Sequence, residues 1–245
     1  MTVRSIPNLS RRDVLAVAGA LTAIAFTARV ATAADSGKLK IGIIGSGHVG
    51  SALGGAWART GHDVMFSSRN LDNDKKLAAQ VGAHASAGTP AQAAAFGQVL
   101  LFAVPYSAFP ELIKSMGSSL KGKLVINASN PFPQRDGEIA DQARTKGAGA
   151  FDVQLLPGAH VVRAFNAVGA ARMASAHEAP GKIGMPLAGD DKKALDLASE
   201  LTREVGFEPV VVGGPEMGQY LMPGTPLAGE HPPAEIRSIA ATLKH

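Results

Sequence analysis

Lys40-Ile41-Gly42-Ile43-Ile44-Gly45-Ser46-Gly47-His48-Val49-Gly50 is the stretch that decides the fold. An apolar strand from Leu39 to Ile44 runs straight into Gly45-x-Gly47-x-x-Gly50, and a helical pattern follows. Among 28 glycines in 245 residues the spacing alone means little, so the flanking pattern carries the weight. Gly45 is expected to permit the strand-to-helix turn, Gly47 to admit a pyrophosphate against the backbone, and Gly50 to let helix and strand pack closely. The turn residues Ser46, His48 and Val49 then sit at the helix tip, where unpaired amides and the positive dipole end favour phosphate. This is a dinucleotide-binding turn.

The downstream pattern supports it. Val49, Leu53 and Trp57 fall on one helical face with Ala52 and Ala56 beside them, and Gly50 and Gly54 leave room against a sheet. Gly61 ends that helix, and Asp63 to Phe66 reads as a second strand. An NAD site places an acid about 20 residues beyond the motif to bond the ribose 2′-hydroxyl. Here that position reads Ser67-Ser68-Arg69-Asn70, with no acid before Asp72. Arg69 offers a donor fork matched to phosphate oxygens, and the two serines add hydroxyls. The expected nucleotide is therefore NADP(H).

Residues 1–33 read as an export signal. Ser10-Arg11-Arg12-Asp13-Val14-Leu15 resembles a twin-arginine signal, an uncharged run of 13 residues from Val14 to Phe26 is too short to span a bilayer, and Ala31-Thr32-Ala33 offers a cleavage pattern. The expected location is the periplasm, with no stable membrane span after cleavage; a retained, membrane-tethering segment is the alternative. Without residues 1–33 the formal charge falls from +4 to +1, with 20 basic and 19 acidic residues left. The basic balance therefore says nothing about nucleic acid, and no Lys/Arg stripe with interleaved aromatics occurs. The absence of cysteine excludes disulfides, thiolate zinc sites and a cysteine nucleophile. No Gly-x-Ser-x-Gly elbow marks a hydrolase, and His62, His84, His160, His177 and His231 lack metal-ligand spacing.

Residues 34–245 read as a single domain, an α/β doubly wound and mostly parallel sheet with helices on both faces and an extension from about residue 213. Thr89-Pro90 opens an Ala-rich helix that Gly97 closes. Gln98 to Val104 and Leu124 to Asn127 are continuous apolar runs, as strands covered on both faces require. Val161 to Phe165, Ile183 to Ala188 and Phe207 to Val212 read as further strands. Ser107 is expected to cap a helix to Met116, Asp190 and Asp191 to begin an amphipathic helix over 190–205, and a final helix to run from Pro233. Ligands of open sheets lie beyond the carboxyl ends of strands, so Val104, Pro105, Ser129, Asn130 and Pro131 should face the nicotinamide half.

Gly45 to Gly50, Ser68-Arg69, Ala103-Val104-Pro105, Asn130-Pro131, Ala164-Phe165-Asn166 and Ala188-Gly189-Asp190-Asp191 occur in the order seen in NADPH:coenzyme F-420 oxidoreductases. The chain resembles that family over about 40–215, and is similar to the oxidoreductase domain of the six-transmembrane metalloreductases. The resemblance implies an enzyme in which the glycine turn and the Ser-Arg pair hold NADPH, while a second redox cofactor lies against the nicotinamide. That partner is FMN, FAD or coenzyme F-420, or another small-molecule acceptor, and a homodimer is possible. Hydride passes directly between stacked rings, so catalysis is positioning. Asn166 is expected to orient the acceptor, and Tyr106 to wall the same pocket. Two other readings stand beside this one: a reductase of small imines or hydroxy acids, and a non-catalytic NADP-binding module.

Overall fold

A computed structural model describes residues 37–243 of the chain; the expected export signal lies outside the described residues. The order runs β1 (Lys40–Ile44), α1 (His48–Arg59), β2 (Asp63–Ser67), α2 (Leu71–Val81), β3 (Ala85–Ala87), α3 (Pro90–Phe96) and β4 (Val99–Phe102). A 3-10 turn, Tyr106–Ala108, leads into α4 (Phe109–Met116), followed by β5 (Leu124–Asn127), α5 (Pro133–Asp136), α6 (Glu138–Lys146), α7 (Ala148–Leu155) and β6 (His160–Arg163). Then come α8 (Ala170–Ser175), β7 (Gly184–Ala188), α9 (Lys192–Val205), β8 (Glu208–Gly213), a 3-10 segment Pro215–Leu221 and α10 (Pro233–Thr242).

The strands form one sheet in the order β3-β2-β1-β4-β5-β6-β7-β8. The first six are parallel, and β7 meets β6 antiparallel through Arg163 and Ala188 while pairing parallel with β8. This is the doubly wound α/β architecture, and the chain reverses direction across the sheet between β1 and β4, where such folds open a crevice. Both apolar runs became central strands: Val99–Phe102 and Leu124–Asn127 are buried throughout. Helices cover both faces, as right-handed crossovers between parallel strands require.

On one face Ile41, Ile43, Leu53, Trp57, Phe66, Leu201 and Phe207 share a core; on the other Ile44, Leu100, Phe102, Phe109 and Val125 share a second. Trp57 anchors the first. Its indole N–H donates to the Leu201 carbonyl at 2.9 Å, so its polar atom is satisfied while the ring is fully buried. A Cβ on Gly54 would meet the Phe66 ring at 2.5 Å, so the small residue lets α1 lie close to β2. The extension does not stand apart: Val210, Met217, Leu221, Leu227 and Ile236 close a third core under β8 and α10.

Local signals acted as expected at α3, where Thr89 and Gln92 form a capping box, and at α9, where Asp191 accepts from the Ala194 amide at 2.7 Å. Ser107 is a correction. The residue capping α4 is Ala108, and the Ser107 hydroxyl instead donates to Asp136 at 3.3 Å. Three elements between residues 133 and 155 lack a long apolar stripe in sequence; α2 buries Asp74 and Ala78 fully and packs Leu77 and Val81 partly against the first core.

Candidate nucleotide-binding site

Gly45 turns the chain with φ of +102°, a conformation that side chains rarely adopt. A Cβ there would also lie 2.4 Å from the Ala103 carbonyl oxygen, and one on Gly50 would lie 1.9 Å from the Gly45 carbonyl oxygen. Gly47 differs. Its φ is ordinary and nothing lies within 4 Å of a Cβ built on it. The amides of Gly45 and Ser46 are consumed by the Ser67 carbonyl at 2.9 and 3.1 Å. Gly47 caps α1 without a side chain, so the amides of His48, Val49 and Gly50, the first turn, have no helical acceptor. No acid stands in that turn. Open space over a glycine beside unpaired amides fits a diphosphate, and the residues present fit the dinucleotide that the sequence implies.

The end of β2 splits the expected Ser-Ser-Arg set. Ser67 is fully buried and its hydroxyl donates to the Ile43 carbonyl at 2.6 Å, so its side chain serves β1 and not a ligand. Ser68 is half-buried and donates to both oxygens of Asp74 at 2.9 Å. Ser46 donates to the same carboxylate from the glycine turn. Arg69 alone is exposed, with no ion pair among the described residues. Asp74 escaped the sequence reading because its partners come from two other loops.

At the ends of β4, β5 and β6 the expected residues do come together. Half-buried Val104 donates its amide to the Ser129 hydroxyl at 3.3 Å, and Pro105 next to it is exposed. Asn130 donates through Nδ2 to the Asn166 carbonyl at 3.0 Å, and Asn166 donates through Nδ2 to the Ser129 carbonyl at 3.0 Å. Phe165, just before Asn166, has φ of +64°, which costs a residue with a side chain about 1–2 kcal/mol. Its ring packs edge-on to Trp57 and Phe207, and that burial holds the turn. Asn166 is 2% exposed, and its Oδ1 is buried without a partner. A buried orphan acceptor at the rim of a crevice is available to an N–H donor.

Tyr106 is the second correction. It does not wall the crevice: it is fully buried, and its hydroxyl donates to Asp152 at 2.5 Å. Burial pushes that hydroxyl well above its ordinary range, so it remains a donor. Arg163 donates to Asp152 at 2.6 Å, to the Tyr106 oxygen at 2.8 Å and to the Ser129 carbonyl at 3.1 Å. Burial raises the Asp152 carboxyl, with the Arg163 guanidinium opposing it. These three residues, 106, 152 and 163, form a buried strut beneath Ser129 and Asn130. His48 is exposed and lines a groove between α1 and α8 with Ser51, Arg59 and Ala170. His62 is structural, bonded to the Leu39 amide at 3.0 Å and to Glu204 at 2.7 Å.

Residues 40–131 match the model of the family described as NADP oxidoreductase, coenzyme F420-dependent. That match spans β1 to β5 and less than half of the chain. It contains the glycine turn, Arg69, Val104, Pro105 and Asn130; Asn166 and the strut residues 152 and 163 lie beyond it. The F420-dependent NADP reductase of Methanothermobacter marburgensis is 27% identical over 205 residues, covering 77% of this chain and 90% of the reductase. The metalloreductase STEAP3 of Rattus norvegicus is 29% identical over 174 residues, covering 71% of this chain but only 34% of that protein. The chain thus spans about a third of the metalloreductase. The solved structure of a hypothetical protein from Sinorhizobium meliloti superposes with a TM-score of 0.66 at 27% identity, covering 80% of this chain and 95% of that one.

Proposed function

We propose that the chain is an NADPH-dependent oxidoreductase of the F420-dependent family, transferring hydride between NADP(H) and a flavin-type ring. The observation that carries the nucleotide half is the open space over Gly47 beside the unpaired first turn of α1. The acceptor half is supported by likeness to the archaeal reductase, which is F420-dependent by name. Bound in this crevice, the nicotinamide would supply a hydride. The chain's own residues bind and orient: the first-turn amides hold the diphosphate, and Arg69 takes the 2′-phosphate. Val104, Pro105, Asn130 and Asn166 shape the floor under the ring, with the free Asn166 Oδ1 facing a carboxamide or acceptor N–H. The buried Tyr106, Asp152 and Arg163 beneath this floor are bonded to one another, and direct hydride transfer requires no acid–base group above it.

Two measurements test this reading. The full chain incubated with NADPH alone, then with FMN, FAD or coenzyme F-420, should lose absorbance at the reduced-nicotinamide band only when one of these acceptors is added. Silence with all three, despite nucleotide binding, would favour a carrier without turnover. Arg69→Ala should weaken NADPH binding by about 10-fold or more and leave NADH nearly unchanged, because only NADPH carries the phosphate that the guanidinium meets. Equal losses for both nucleotides would remove Arg69 from this role.

A further inference from the structure

Asp74 is an acid buried where a 2′-phosphate site has no evident use for one. It is 1% exposed, sits in the first half of α2, and no ion pair reaches it among the described residues. Among the described residues its carboxylate has two partners, both hydroxyls: Ser46 of the glycine turn, and Ser68, whose oxygen lies 2.9 Å from each carboxylate oxygen. The carboxylate thus ties the diphosphate turn to the loop that reads the 2′ substituent.

We propose that Asp74 is a specificity-determining residue for the nicotinamide nucleotide, and that it holds back the preference for NADPH that Arg69 creates. The inference rests on the nucleotide reading above. A serine hydroxyl has one proton and two lone pairs. With both protons committed to Asp74, and one Ser68 lone pair taken by the Asn70 amide at 3.1 Å, Ser46 and Ser68 have only lone pairs left for whatever lies over them. A ribose hydroxyl can donate to such a lone pair, whereas a phosphate oxygen needs donors and finds none there. The buried charge adds repulsion, which a shielded setting screens poorly. Discrimination for NADPH then rests on Arg69, and NADH remains a usable ligand.

The test is calorimetric titration of the full chain with NADPH and with NADH, for wild type, Asp74→Asn and Ser68→Ala. Asparagine keeps the shape but removes the charge, and its amide N–H must donate to one serine, which frees that hydroxyl's proton to turn outward. The NADPH-to-NADH affinity ratio should rise about 10-fold in Asp74→Asn, chiefly through tighter NADPH. A ratio within about twofold of wild type, or a shift toward NADH, overturns the proposal. Ser68→Ala keeps the inference exposed to failure should Asp74→Asn not fold. Because Ser68 offers the ribose hydroxyl a lone pair and the phosphate no proton, its loss should weaken NADH and spare NADPH, so the affinity ratio rises. A fall of more than about fivefold for NADPH alone would show that proton reaching the phosphate, and overturn the proposal. Wild type binding neither nucleotide would bring down the nucleotide reading together with this one, whereas binding with unmoved ratios would overturn this one alone.

Discussion

Gly47→Asp should lower NADPH affinity by about 100-fold or more while leaving the melting temperature unchanged or slightly higher, a loss of roughly 2.7 kcal/mol of binding. The separation of the two effects follows from the surroundings of this glycine. Its φ of −67° suits any residue, and nothing lies within 4 Å of the added Cβ, so the protein has room for the side chain. Gly47 is also the N-cap of α1, a position where Asp is among the best residues because its carboxylate accepts the orphan amides and meets the positive helix end. Those amides are the ones assigned to the diphosphate. The variant therefore satisfies the helix internally and places a negative charge where the ligand's own charges would sit. Gly50→Ala offers the contrast: its Cβ would lie 1.9 Å from the Gly45 oxygen, so it should disturb the turn and stability together. Thermal melts with and without NADPH, alongside titration, distinguish the two. Retained affinity in a folded Gly47→Asp protein would move the nucleotide elsewhere.

Asp152→Ala should destabilise the protein by about 3–5 kcal/mol, lowering the melting temperature by roughly 10 °C, because it leaves the Arg163 guanidinium buried without its counter-charge. Arg163 is 1% exposed and Asp152 wholly buried, so water cannot replace the lost partner. Asp152→Leu combined with Arg163→Met should recover much of this loss, since removing both charges removes the desolvation penalty too. The double variant should still show a defect in turnover. Arg163 holds the Ser129 carbonyl and reaches Asn130 Oδ1 at 3.4 Å, and Asn166 hangs on the same Ser129 carbonyl. Recovery of stability with full turnover would show the strut to be structural only.

Much of the fold was legible because its signals are local. The glycine turn, the buried runs of β4 and β5 and the caps of α3 and α9 each declare themselves within a few residues. Elements with short stripes did not: the apolar face of α2 is little more than Leu77, Ala78 and Val81, and the short helices between 133 and 155 carry no period long enough to recognise. The antiparallel entry of β7 was equally hidden, since strand direction is set by the length and path of the connection and not by the residues of the strand.

The candidate site divides along the same line. Gly45, Gly47, Gly50 and Arg69 could be read from one window of sequence, because a main-chain turn and an exposed cation at a strand end need no distant partner. Ser67 and Tyr106 were misplaced on that reading, for a hydroxyl's role depends on which side of the sheet it finally faces. Asp74 is 28 residues from Ser46, and Arg163 is 57 from Tyr106, and only the folded sheet brings them together. The amino-acid order by itself determined a doubly wound fold with a glycine turn into its first helix, through short-range backbone sterics and hydrophobic spacing. Tertiary structure alone decided which polar side chains stay open and which are spent on one another, because a buried donor or acceptor must find a partner wherever packing brings one within reach.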